Sequence, residues 1–232
     1  MTKKVLIKNI VLISVLIYFI FLSIDIITKN TASIHSSYLK YTAICLCFTL
    51  TLLINHHGYN NKDTLLLQMA FFFTLIADFF LVILNWPTPG VFTFIFVQSM
   101  HKLRHLVKYR LSKKNIFIFL VINLILLLFF PLLPHGTIPF HLYLISVFYG
   151  SLLSINLIDS IKTLNEKANS KENSLFIALG MFLFFMCDIN VALFNIIDNN
   201  ITGFFIWLFY FPSQLFLSLS GYDITYLKNI LR

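Results

Sequence analysis

Eight apolar runs of about 17–24 residues, each closed by a short polar break, constrain this chain more than any other feature, because each is long enough to cross a ~30 Å hydrocarbon core. They lie near Val5–Ile27, Tyr38–Ile54, Thr64–Leu84, Gly90–Val107, Asn115–Leu133, Ile138–Ile161, Ser174–Ile197 and Thr202–Ser220. The breaks are turn-forming: His56-His57-Gly58-Tyr59-Asn60-Asn61, Trp86-Pro87-Thr88-Pro89-Gly90, Pro134-His135-Gly136 and Asp198-Asn199-Asn200. Helices are expected, since isolated strands leave their backbone unsatisfied in lipid. The strict alternation of an outer-membrane barrel is missing. Only 11% of residues are charged while 59% are hydrophobic, too little charge to coat a water-facing surface of this size. The reading is an all-α polytopic integral membrane protein of eight transmembrane helices, with residues 1–232 forming a single domain. The basic start followed by an apolar run resembles a signal peptide, but the run is longer than the roughly 7–15 residues of an h-region, so it is read as a retained first helix.

Lys and Arg set the orientation. With the N-terminus in the cytoplasm, fifteen of the 17 basic residues fall on the inner side, and only Lys29 and Lys40 fall on the other. Adding or removing one helix destroys that asymmetry, so both termini are expected inside. The net charge of +8 is scattered through the breaks rather than gathered in a polar domain, which argues against nucleic acid as a partner. Cys45, Cys47 and Cys187 lie in apolar runs and are odd in number, which argues against a disulfide framework.

Two carboxylates stand deep in apolar sequence, Asp78 after Phe71–Ala77 and Asp188 after Phe182–Cys187. Acids at such depth are expected to face the bundle interior with a partner or a task. At ~1.5 Å per residue both fall roughly 9 Å below the outer boundary, and Gln98, Tyr143 and Tyr210 descend to about the same level from the opposite direction. One polar layer drawn from five helices is therefore expected. Lys40, at the outer end of the second run, reads either as a snorkelling anchor or as a point charge for a lipid phosphate. His101, Arg104, His105 and Lys108 form one stripe at the inner end of the fourth run, read as an anchor to anionic headgroups rather than a metal site. Asp25, Asp159 and Asp223 are read as interfacial. No Gly-rich phosphate loop, nucleophile elbow or HExxH motif is present.

The polar layer coincides with short motifs through which the chain resembles the YhhN family, the bacterial relatives of animal lysoplasmalogenase. The family's Lys-Pro opening helix two is matched by Lys40-Tyr41, its Gly-Asp in helix three by Ala77-Asp78, and its Gly, Phe and Ala-His stretch in helix four by Gly90, Phe94 and Val97-Gln98. Its Ser-Asp in helix seven is matched by Cys187-Asp188 after Gly180, and its closing Tyr and Gln by Tyr210 and Gln214. Both aspartates are kept; the Gly, Pro, Ser and His neighbours are changed. The resemblance implies an eight-helix membrane hydrolase that cleaves the vinyl ether of a lysoplasmalogen into a fatty aldehyde and a glycerophospho-headgroup. Asp78 and Asp188 would be catalytic, one as acid and one ionised beside the oxocarbenium ion. Gln98, Tyr143, Tyr210 and Gln214 would orient water or substrate oxygens, Lys40 would meet the phosphate, and no metal or organic cofactor is needed. Two other readings remain open: a non-enzymatic lipid- or partner-binding protein with the two Asp as interhelical clamps, and a small transporter. The composition, low in Gly and high in Lys, Asn, Ile and Phe, points to a bacterial plasma membrane.

Overall fold

A computed structural model of the chain describes residues 3–58, 60–108, 113–129, 131, 138–164, 171–197 and 200–231. The breaks at Pro134-His135-Gly136 and Asp198-Asn199 lie outside the described residues. Among the described residues the structure is all-helical, with nine α-helices: α1 (Lys3–Thr28), α2 (Ile34–Leu52), α3 (Asn61–Asp78), α4 (Pro87–Lys108), α5 (Lys113–Phe129), α6 (Phe140–Thr163), α7 (Lys171–Ile197), α8 (Asn200–Leu219) and α9 (Ile224–Leu231). The first eight coincide with the eight apolar runs. α9 follows a run the sequence reading closed at Ser220.

Local chemistry places the helix ends. Ser33 caps α2 by accepting from the Ser36 N–H, and Asn60 caps α3 by accepting from the Lys62 N–H at 2.9 Å. Pro87 opens α4, where its missing N–H costs nothing. Asn85 takes a left-handed conformation, φ 52°, to turn the chain from α3 into α4. Asp223 starts α9 by accepting from the Thr225 N–H (2.8 Å), the Thr225 hydroxyl and the Tyr226 N–H. Those bonds, that of the Thr225 hydroxyl foremost, hold the Asp223 carboxyl below the usual carboxylate range.

Packing arranges six helices in a ring, in the order α2, α3, α4, α6, α7, α8, which closes where α8 meets α2. α1 lies outside the ring on α2 and α8, and α5 lies outside it on α6. The outer helices turn large apolar side chains away from the protein, among them Leu16 and Ile27 of α1 and Phe117 and Leu128 of α5. Among the described residues, five helical stretches are long and apolar enough to cross a membrane: Lys3–Thr28, Asn61–Ile83, Phe140–Thr163, Asn173–Ile196 and Ile201–Leu219. The chain is thus a multi-pass membrane protein.

Several expected surface charges are interior. Lys40 is fully buried, its ammonium 2.7 Å from Asp25 Oδ2 and donating to the Thr31 carbonyl at 2.5 Å, with the Trp207 ring 4.9 Å away. Asp25, expected at the interface, is buried with it and accepts from the Ser36 hydroxyl. The reason is neutralisation: a lysine and an aspartate one helix apart can both leave water if they face each other. The inner stripe is corrected in the same way. His101, Arg104 and His105 are buried rather than turned to headgroups, and Arg104 makes a two-pronged contact with Asp63 of α3 at 3.0 and 3.2 Å. Asp159 binds both Lys102 and Lys162 at the α4–α6 seam.

Candidate functional site

The ring interior is bridged by side chains both from adjacent helices and, between α3 and α8, from helices that are not neighbours. Asp78 ends α3, and the next five residues, Phe79–Ile83, form a π-helical turn closed by the Leu84 N–H on the Phe79 carbonyl at 3.0 Å. Such wide turns re-aim the side chains around them. Here Asp78 points across the ring to α8, where the Tyr210 hydroxyl donates to its two oxygens at 2.9 and 2.7 Å. Asp188 of α7 is bound by the hydroxyl of Tyr149 on α6. Two Tyr–Asp pairs therefore link α3 to α8 and α6 to α7.

Aromatic packing joins the two pairs. Phe94 of α4 lies 5.7 Å from the Tyr149 ring and 6.4 Å from the Tyr210 ring, and Phe184 of α7 lies 5.8 Å from Phe94 and 5.7 Å from Tyr210. The two carboxyls therefore stand at either side of one aromatic cluster, and Cys187 is the chain neighbour of Asp188. Asp78 is 2% exposed and Asp188 is half-buried, both among apolar side chains. A pair of carboxyls in such surroundings can divide the roles of proton donor and charge stabiliser.

Gln98 joins the cluster from α4. Its backbone carbonyl and Oε1 both accept from Asn156 Nδ2 of α6, at 2.8 and 2.9 Å, and its amide lies beside the Tyr149 hydroxyl. Gln214 is buried on α8 one turn beyond Tyr210 and donates to Ser213 Oγ at 3.4 Å. Tyr143 stands apart from the expected layer. Its hydroxyl donates to the Leu126 carbonyl on α5, and the tyrosine that meets an aspartate from α6 is Tyr149, nearly two turns along. The depth estimate put Tyr143 in the layer because it assumed common helix boundaries; it carried no information about which face of α6 turns inward. Lys40 lies against α1 and Trp207 with its charge already neutralised by Asp25, so a phosphate would have to displace that carboxylate.

Tyr149 and Asn156 were missed by the sequence reading. A signal existed: they are seven residues apart, two turns on one face of α6, facing Phe94 and Gln98, four apart on α4. Among the described residues no group of three His, Cys, Asp or Glu side chains is arranged to hold a metal ion.

Comparison with protein families matches the model described as the YhhN family over residues 36–221, which contain both Tyr–Asp pairs, Gln98, Asn156 and Lys40 but leave out all of α1 and α9. Comparisons with curated proteins and with solved structures returned no match.

Proposed function

Because this chain belongs to the YhhN family, we propose that it is a membrane hydrolase of the lysoplasmalogenase type, cleaving the vinyl ether of a lysophospholipid-like substrate. The observation that carries the reading is the placing of Asp78 and Asp188, each bound by a tyrosine, on one aromatic cluster of Tyr149, Phe94, Phe184 and Tyr210 inside a ring of apolar helices. Vinyl ether hydrolysis needs a proton delivered to the β-carbon and a stabilised oxocarbenium ion. One aspartate in its acid form supplies the proton, and the other, ionised, faces the cation. Water then adds to the oxocarbenium carbon, and the resulting hemiacetal releases a fatty aldehyde and the glycerol hydroxyl. Tyr149 and Tyr210, each donating to one carboxyl, set the direction of its free lone pairs. In this reading all eight long helices span a bacterial plasma membrane, with both termini in the cytoplasm, and the acids lie in the outer half of the bilayer.

The test is incubation of purified protein with a lysoplasmalogen and, separately, with an ordinary lysophospholipid, reading aldehyde against fatty acid. Aldehyde from the first alone supports the reading. Equal aldehyde from wild type and from Asp78→Asn or Asp188→Asn overturns the mechanism.

A second reading is favoured by one observation: each aspartate is bound by a tyrosine from a different helix, as an interhelical clamp would be. A purely structural pair would lose stability on substitution without any substrate-dependent signal in the wild type.

A further inference from the structure

Two buried amide atoms on facing helices lack a hydrogen bond. Gln98 Nε2 is a donor, Asn156 Oδ1 is an acceptor, and both residues are 0% exposed. The rest of each amide is engaged with the other, through Asn156 Nδ2 on the Gln98 carbonyl and Oε1. The two idle atoms are thus held by one rigid pair between α4 and α6. A third incomplete group stands beside them. Tyr149 spends its only proton on Asp188, so its oxygen keeps a lone pair toward the Gln98 amide.

One donor and two acceptors at a buried seam match the partners a single water molecule takes, since buried waters make about three hydrogen bonds to groups that would otherwise go unpaired. Leaving two amide atoms unpaired in an apolar core forfeits their hydration with nothing in return. We propose that Gln98 and Asn156 bind one structural water, accepting from Gln98 Nε2 and donating to Asn156 Oδ1 and Tyr149 Oη, and that this water is the support that aims Tyr149 at Asp188. Gln98 and Asn156 are then positioning residues, acting on the carboxyl through Tyr149. The water site stands independently of any reaction; its consequence for turnover rests on the hydrolase reading above.

The first test is a high-resolution structure of the full chain in lipid. Ordered density within hydrogen-bond distance of both Gln98 Nε2 and Asn156 Oδ1 is the expected result. A direct Nε2-to-Tyr149 hydrogen bond with no density between the amides overturns the site. The second is kinetic. Asn156→Leu removes the acceptor, and its expected effect on aldehyde release is a loss of ~100-fold in kcat with KM unchanged, as a misaimed acid would give. An unchanged kcat overturns the positioning role. If Asn156→Leu does not fold, Asn156→Ser, which keeps a polar group but withdraws it from the water, takes its place with the same expectation. A wild type that releases no aldehyde removes the hydrolase reading alone, because the density measurement still decides the water.

Discussion

At the scale of the residue, the buried basic side chains of α2 and α4 are tolerated because each meets a carboxylate. Lys40 with Asp25 and Arg104 with Asp63 are the buried cases. Removing one member of such a pair strands the other, which costs about 3–5 kcal/mol, whereas removing both with apolar residues of similar size is close to neutral. Lys40→Met is therefore expected to lower the unfolding free energy in detergent by that amount. The double variant Asp25→Leu with Lys40→Met should recover most of it. Equal stability of Lys40→Met and wild type in a denaturant titration would show that the pair is not buried. Tyr210→Phe makes a smaller change, taking from Asp78 the hydroxyl that bonds both its oxygens. A destabilisation of about 1–3 kcal/mol is expected, together with slower aldehyde release. Loss of stability at full turnover would assign Tyr210 to the clamp alone.

At the scale of the element, two seams illustrate how closely the ring is built. Gly180 of α7 faces Leu217 of α8 so tightly that a Cβ there would stand 2.7 Å from the Leu217 Cγ and 3.2 Å from its backbone nitrogen. A backbone cannot yield as a side-chain tip can, so Gly180→Ala is expected to cost about 1–3 kcal/mol. Gly150→Ala on α6 is the control, since nothing lies within 4 Å of the added carbon. It should be neutral or gain up to about 1 kcal/mol from helix propensity. Thermal melts of the two variants in one detergent compare them directly. α9 is held differently, through His57 stacked on Tyr226 at 3.7 Å, the Tyr222 hydroxyl on the Leu50 carbonyl and the Asp223 cap. The Asp223 carboxyl is held below its ordinary value near 3.8 by its hydrogen bonds. A lowered folded value contributes stability that is present above the unfolded value and is lost as pH falls through the folded one. Amide exchange in α9 should accelerate as acid carries the protein through that window, and Asp223→Asn should abolish the acceleration.

At the scale of the whole molecule, the ring explains why only part of the chain advertises itself as membrane-spanning. Helices such as α1 and α5 are apolar almost throughout, whereas α2 and α4 pair an exposed apolar face with Lys40, Gln98 and Arg104 buried on the other. Single-cysteine labelling at Lys29, Trp86 and Thr202 from one side, and at Lys62 and Lys228 from the other, is the expected outcome of eight crossings with both termini inside. Labelling of Lys62 and Trp86 from the same face would remove the crossing by α3. The order and ends of the eight long helices were legible in the runs and breaks, since helix length and turn chemistry are local. Which face of each helix looks inward was not, so Tyr143 stood where Tyr149 belongs and Asp25 was left at an interface it does not occupy.

The sequence by itself determined an all-helical, lipid-embedded chain with two acids sunk in it, because apolar length and rare deep charges are properties of single segments. Only the tertiary structure decided who meets whom: Asp78 with Tyr210, Asp188 with Tyr149, Lys40 with Asp25, Gln98 with Asn156. Those pairings depend on the rotation of each helix about its axis and on the closing of α8 against α2. Such rotations are set by packing among helices far apart in the chain, and no single segment carries that information.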